Sequence, residues 1–211
     1  MKLNIARLSM AFALLLNFGF ADFGLAANQA QAGENAGGSS DVANMLLYIQ
    51  PVEYTNSINV MNHFSKIYWF EQGPVVEPLA LKQFNAAFSP VTMCEVGRSA
   101  KMIVWLQPRM FYNPQLQMFH GQITANVYTG KGELKSSYVG KSKVHGFIDI
   151  KPEIWIEKSY EQAMSKVVNK IKADKDLQQL MSKNDQTTTL DGVSCGIVTS
   201  FPIPKVRALS F

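Results

Sequence analysis

Three histidines, two cysteines and three tryptophans are the side chains here whose types could support chemistry. His120 and His145 lie on neighbouring stretches of alternating character. If those stretches pair as a hairpin centred between Lys131 and Gly132, the two imidazoles share one face as diagonal neighbours, about 7 Å apart at Cβ. That distance suits two ligands of a zinc or copper ion. No third ligand accompanies them, His63 is remote in sequence, and the same register sets Lys143 opposite His120, where it opposes a cation. A solvated face is the expectation, with no metal and no cofactor.

Cys94 and Cys195 form an even pair, which in an oxidising compartment reads first as a disulfide. A catalytic thiol needs a histidine partner and an electropositive setting, and neither is near these cysteines in sequence. The acids Glu71, Glu77, Glu95, Asp149 and Glu153 are scattered and make no pair of the kind glycoside hydrolysis uses. G-x-S-x-G, H-E-x-x-H, a phosphate-cradling glycine loop and a dinucleotide fingerprint are all missing from the sequence. The sequence therefore predicts no enzyme and names no catalytic residue.

Binding chemistry has one candidate segment. Gln107–Gln115 carries Arg109, Phe111 and Tyr112 between Pro108 and Pro114, so a stiff backbone presents cationic and aromatic groups together. A partner surface could use such a patch; the alternative is a bent strand that tucks its aromatics into the core. Trp105 sits inside an apolar run and reads as core. Trp69 and Trp155 could stack on sugars, but packing is the expectation for both.

These residues need elements to hold them. Met45–Val52 is an apolar run ended at Pro51 and reads as a buried strand, and Ile67–Phe70 as a short one. Between Glu53 and Gly73 the pattern is mixed. After a Gly73-Pro74 break, Val75–Phe88 reads as a helix with Pro78 in its first turn. Pro90–Val96 is a strand candidate. Met102–Leu106 lacks alternation, which implies burial on both faces, and Pro108 ends or bends that run. Phe119–Tyr128 and Leu134–Ile150 alternate as a hairpin with Phe119 facing Val144, Ala125 facing Tyr138 and Gln122 facing Lys141. Pro152 opens the strongest helical pattern, with Ile156, Tyr160, Ala163, Met164, Val167 and Ile171 on one stripe. Asp174 is placed to cap a following segment through Leu177 and Met181. Val193–Val198 reads as a final strand that the cysteines fasten near Pro90–Val96.

The first 32 residues have the form of a secretory signal. Lys2 and Arg7 precede an apolar stretch from Leu8 to Phe20, and Ala30-Gln-Ala32 offers a peptidase site, with another after Ala27. Without a cysteine at either site, an exported, unlipidated protein of the periplasm is expected. Residues 33–41 then form a flexible leader, and 42–211 a single domain. The formal charge of +4 drops by two with Lys2 and Arg7 and gains one with Asp22, leaving +3. That mild excess, without a basic run, argues against nucleic acid and leaves peripheral contact with an anionic membrane open.

The order of elements, with Lys101-Met-Ile-Val-Trp-Leu-Gln-Pro108, the Gly130/Gly132 turn and the Tyr160…Ala163-Met164…Val167 helix, resembles the small α+β domain of YajG-type envelope proteins. It is also similar to the related domains at the amino end of TolB and in the curli secretion channel component. A weaker resemblance is to the auxiliary periplasmic component of lipid-trafficking ABC transporters. These resemblances span about residues 42–183 and imply no catalytic residues. The expectation is an α+β domain with a mostly antiparallel sheet, helices 75–88 and 153–183 on one face, and a Cys94–Cys195 disulfide. Its expected function is non-enzymatic: binding an envelope protein partner or taking part in envelope assembly. The alternative is a lipid- or glycan-binding auxiliary component of an envelope transport system.

Overall fold

The computed structural model describes residues 43–61, 66–129, 132–182 and 193–201. The expected signal, leader, His63, the centre of the 130–131 turn and the 202–211 tail lie outside them. All described residues belong to one compact unit, Ser40–Phe211. The fold is α+β, with a mixed sheet and helices on one face.

β1 (Ala43–Ile49) is buried along nearly its whole length and takes a central place in the sheet. The chain then makes a short helix α1 (Val52–Thr55), a separate ribbon of β2 (Ser57–Met61) and β3 (Ile67–Glu71), and helix α2 (Gln72–Phe88). It returns through the cis Ser89–Pro90 bond as β4 (Val91–Met93), parallel to β1. β5 (Ser99–Asn113) also runs parallel to β1, on its other side. A crossover through a helix is what parallel neighbours require. The sheet is thus mixed rather than mostly antiparallel: β1 has two parallel neighbours, while β5, β6 (Met118–Thr129) and β7 (Leu134–Lys141) form an antiparallel meander.

The hairpin register is the expected one. Phe119 pairs with Val144, Gln122 with Lys141 and Ala125 with Tyr138, with a register shift between Val127 and Tyr128. β7 nevertheless stops at Lys141, well short of Ile150. A two-residue strand β8 (Val144–His145) pairs with β6, and a turn leads into helix α3 (Pro152–Ala173).

Other boundaries also depart from expectation. α2 begins at Gln72, so the Gly73-Pro74 pair lies in its first turn and Pro78 in its interior. Pro108 neither ends nor interrupts β5. β1 finishes opposite Leu106, so on that side Pro108 faces no strand whose ladder needs its missing N–H. The predicted last strand shrinks to β9 (Val193–Ser194), antiparallel to β5, and continues as a 3-10 helix over Cys195–Ser200.

The helix-facing core joins the even-numbered side of β5, from Met102 to Tyr112, to α2 and to the predicted stripe of α3. Two glycines let α3 come down on the sheet. A Cβ on Gly140 would lie 2.0 Å from the Ala163 carbonyl oxygen, and one on Gly121 would lie 2.6 Å from Ser159 Oγ. Beneath that contact the buried Ser142 hydroxyl sits 2.7 Å from both the Ser159 carbonyl oxygen and Ser159 Oγ. Buried hydroxyls so satisfied avoid the cost of an unpaired polar group.

A second, smaller core lies on the other face. Leu46, Ala100, Ile103, Trp105 and Tyr128 are roofed by Cys195 and Phe201. Phe201 stacks on Tyr128 at 4.1 Å and on Trp105 at 5.5 Å between ring centroids. The Cys94–Cys195 disulfide fastens this roof. α4 (Lys175–Ser182) closes the described helices, with Asp174 Oδ1 accepting from the backbone N–H groups of Asp176 and Leu177, as an N-cap should.

Candidate functional site

A chain of polar side chains links three helices in the interior. Tyr160 of α3 is fully buried, and its hydroxyl donates to Gln72 Oε1 at 2.5 Å. Gln72 Nε2 in turn donates to Glu53 Oε2 at 2.7 Å. Burial is the main reason the Glu53 carboxyl sits above the usual range, partly offset by the Gln72 bond and the Arg109 charge. Burial likewise pushes the Tyr160 hydroxyl well up. Nearby, Tyr54 donates to Glu77 Oε2 at 2.5 Å, and its ring lies against Gly73. These bonds tie α1, α2 and α3 together. Tyr160 is sealed from solvent, so its hydroxyl holds the helices together. Sequence reading missed Gln72, since nothing in a lone glutamine before Gly-Pro marks it as a splice between helices.

On the outer face of the sheet, β5 separates the three residues proposed for binding. Arg109 pairs across the strands with Gln122, and Phe111 with His120. Tyr112 points the other way: it is buried, its ring is 4.6 Å from Phe119, and its hydroxyl donates to the Gly146 carbonyl at 3.4 Å. Strict alternation along an unbroken strand forces this division. The Phe111 and His120 rings approach to 5.6 Å. Burial, followed by the Lys143 charge, lowers the His120 pKa and so favours the neutral ring. His145 pairs with Met118, which puts it on the same face as His120. Among the described residues no three or more His, Cys, Asp or Glu side chains gather closely enough to hold a metal ion.

Between α2 and α3 runs a groove of about 620 Å³. Gln83, Glu161, Gln162, Ser165 and Lys166 line it together with Ala86 and Val168, and more of the exposed lining is apolar than polar. Phe111 and Tyr112 take no part in it.

The β2–β3 ribbon offers a different surface. Its inner side chains Val60 and Phe70 are buried, and Tyr68 packs on the same core. Its outer side carries Asn59 opposite Trp69 and Met61 opposite Ile67. Trp69 is 57% exposed, and Met61 and Ile67 are exposed too. The packing expected of Trp69 is therefore not found. The signal was present in Ile67-Tyr-Trp-Phe70, where alternation must put Trp69 opposite to Phe70. With apolar residues on both sides, the pattern could not say which side met the core.

Trp155 is half-buried, its ring lying against Gly146 and its Nε1–H donating to the Ile150 carbonyl at 3.2 Å.

No family model matches the chain, and no curated protein does. Among solved structures, protein XCC0632 from Xanthomonas campestris, of family DUF330, is similar with a TM-score of 0.47 and 12% identity over 66% of this chain and 90% of that one. A "putative lipoprotein" from Caulobacter crescentus CB15 gives 0.32 and 17%, covering 50% of this chain and 83% of its own. An uncharacterized protein gives 0.36 and 8%, covering 61% and 87%. None of the three is described as a YajG-type, TolB or curli secretion protein. Likeness at this level names no partner, ligand or reaction.

Proposed function

We propose that this chain is an exported, non-enzymatic envelope protein that works by holding a protein partner, with the outer face of the β2–β3 ribbon as its contact surface. The observation that carries this reading is Trp69, exposed on a paired ladder beside Met61 and Ile67. A large aromatic held in place by its own strand gives up little conformational freedom on contact, and tryptophan is enriched among the residues that dominate interface energy. The inner residues Val60 and Phe70 anchor the ribbon to the core, so the outer face is presented by a fixed support. The Tyr160–Gln72–Glu53 chain is spent on joining helices, which also favours docking over catalysis. The lipid- or glycan-binding alternative has the α2–α3 groove, of mixed and mainly apolar lining, as its support.

The test is affinity capture from crosslinked envelopes with the natural chain and with Trp69→Ala. A reproducible partner recovered by the first, and reduced about tenfold or more by the second, is expected, in line with a hot-spot truncation of 1.4 kcal/mol or more. Equal recovery by both, or no reproducible partner, overturns the reading.

A further inference from the structure

Past the Cys195–Phe201 roof, the sheet face turned away from the helices carries cationic and hydrogen-bonding side chains and no carboxylate. Between Ser99 and Ile148 the only acidic residue is Glu133, against Lys101, Arg109, Lys131, Lys135, Lys141 and Lys143. Strand register sets the outward side chains in rows. Arg109 of β5 pairs with Gln122 of β6, and Gln122 with Lys141 of β7. The next row towards the roof is Gln107, Thr124 and Val139. The one beyond it has Asn126 opposite Ser137, whose hydroxyl donates to Asn126 Oδ1 at 2.7 Å. Neighbouring strands lie about 4.8 Å apart, so Arg109 and Lys141 stand about 10 Å apart with the Gln122 amide between them.

Two observations mark these rows as a place for a ligand. The first is charge that no ion pair takes up. The ion pairs among the described residues, Lys66–Asp149, Lys82–Glu161 and Arg98–Glu95, use none of Arg109, Lys141 and Lys143. Lys141 and Lys143 are exposed on either side of the buried Ser142, and Lys143 is near enough to His120 for its charge to help keep that ring neutral. Arg109 has Glu53 within electrostatic reach, so the lysine side of the row is the less compensated. The second is His120, two residues before Gln122 and so on the same face. Its Nε2 is buried and has no hydrogen-bond partner among the described residues. A ring nitrogen left in that state calls for a polar group that the protein does not supply.

We propose that this face binds an acidic polysaccharide, with Lys141, Lys143 and Arg109 meeting its carboxylates and Gln107, Gln122 and Thr124 hydrogen-bonding its hydroxyls. Side-chain amides and hydroxyls both donate and accept, as sugar hydroxyls do. Protein interfaces gather round an apolar or aromatic core, whereas the rows through Arg109 and Gln107 have an amide and a hydroxyl at their centres. A sheet face is open along its length, so it takes an extended chain, while a small ligand needs a concave site to bury most of its surface. The contact lies across the sheet from the β2–β3 ribbon, whose Val60 and Phe70 pack into the helix-side core. It does not use the α2–α3 groove.

The test is calorimetric titration of the purified chain with polygalacturonate, with polyglutamate and neutral dextran as comparison polymers. Binding to polygalacturonate that weakens with added salt is expected. Lys141→Glu with Lys143→Glu should lower it about tenfold or more, and Gln122→Leu about threefold. Both lysines are exposed, and unchanged thermal midpoints confirm that the variants fold. No measurable binding to polygalacturonate, or a double-glutamate variant that binds as the parent does, overturns the proposal. Polyglutamate bound as tightly as polygalacturonate means that charge alone is read, and dextran bound as tightly means that charge is not read; either result also overturns it. Trp69→Ala should leave the affinity for polygalacturonate unchanged, so loss of the protein partner and loss of the polysaccharide are separate results.

Discussion

Asp174 concentrates several roles in one carboxylate. It ends α3, caps α4 through two backbone N–H groups, and accepts a hydrogen bond from the Tyr138 hydroxyl at Oδ2. The Tyr138 bond is the largest reason its pKa lies below the ordinary aspartate value. Burial first, and then Asp174 itself, push Tyr138 up to about 12. Because the folded pKa is depressed, the ionised carboxylate contributes stability fully above the unfolded value, and that contribution is lost as pH falls through the folded value. Asp174→Ala is expected to cost about 1 kcal/mol at neutral pH. The gap from the natural chain should narrow as pH falls below about 3.9, measured as urea midpoints over a pH series. A gap that stays constant down to pH 2 would contradict this account. Asp174 was legible as a cap because its residue type and place before Leu177 carry the signal. Gly140 and Gly121 were not, since the atoms they make room for come from α3.

At the scale of elements, β7 shows how an exposed edge is managed. Lys166 Nζ donates to the Lys141 carbonyl and Lys170 Nζ to that of Val139, both at 2.7 Å. These are carbonyls of an edge strand, the kind of unpaired row that invites another chain to add a strand, and lysine is a common guard. Lys166→Ala with Lys170→Ala should free them. Self-association that rises with concentration, read by light scattering after size exclusion, is expected; a strictly monomer-like profile equal to the parent's would rule the guard out. Helix positions facing solvent in the sequence gave no hint of this duty. By contrast, the α3 stripe and the β6–β7 register were readable, because each rests on a local period that the burial of one face enforces. The mistaken last strand at Val193–Val198 rested on composition alone. Only two of its residues find a partner in β5, and the remainder turns to place Cys195 and Phe201 over the second core.

The described residues build a sheet with a large core on its helical side and a small one on the other, joined through β1 and β5. The disulfide spans 101 residues and ties the roof of the small core to the end of β4. Chain-entropy arguments put such a closure at about 4–5 kcal/mol, an upper figure. Reduction is expected to lower the thermal midpoint by several degrees and to release Phe201 from Trp105, shifting tryptophan emission to longer wavelength. If emission and midpoint are both unchanged after complete reduction, the roof is held by packing alone. The outer face of the sheet is thus divided: one end is covered by the Cys195–Phe201 segment, and the other carries Arg109, Gln122, His120 and Lys141.

What the residues determined without help is whatever depends on neighbours along the chain: the alternation of β6 and β7, the α3 stripe, the Asp174 cap and the pairing of two cysteines in a protein read as exported. Tertiary structure alone decided which of two apolar sides would be covered. β2–β3 could present either Trp69 or Phe70 to the core, and β1 could pair in either direction. The outcome depended on where α2 crossed and where the sheet had room. Periodicity records that a side chain has a face, but the partner that hides it comes from elsewhere in the chain.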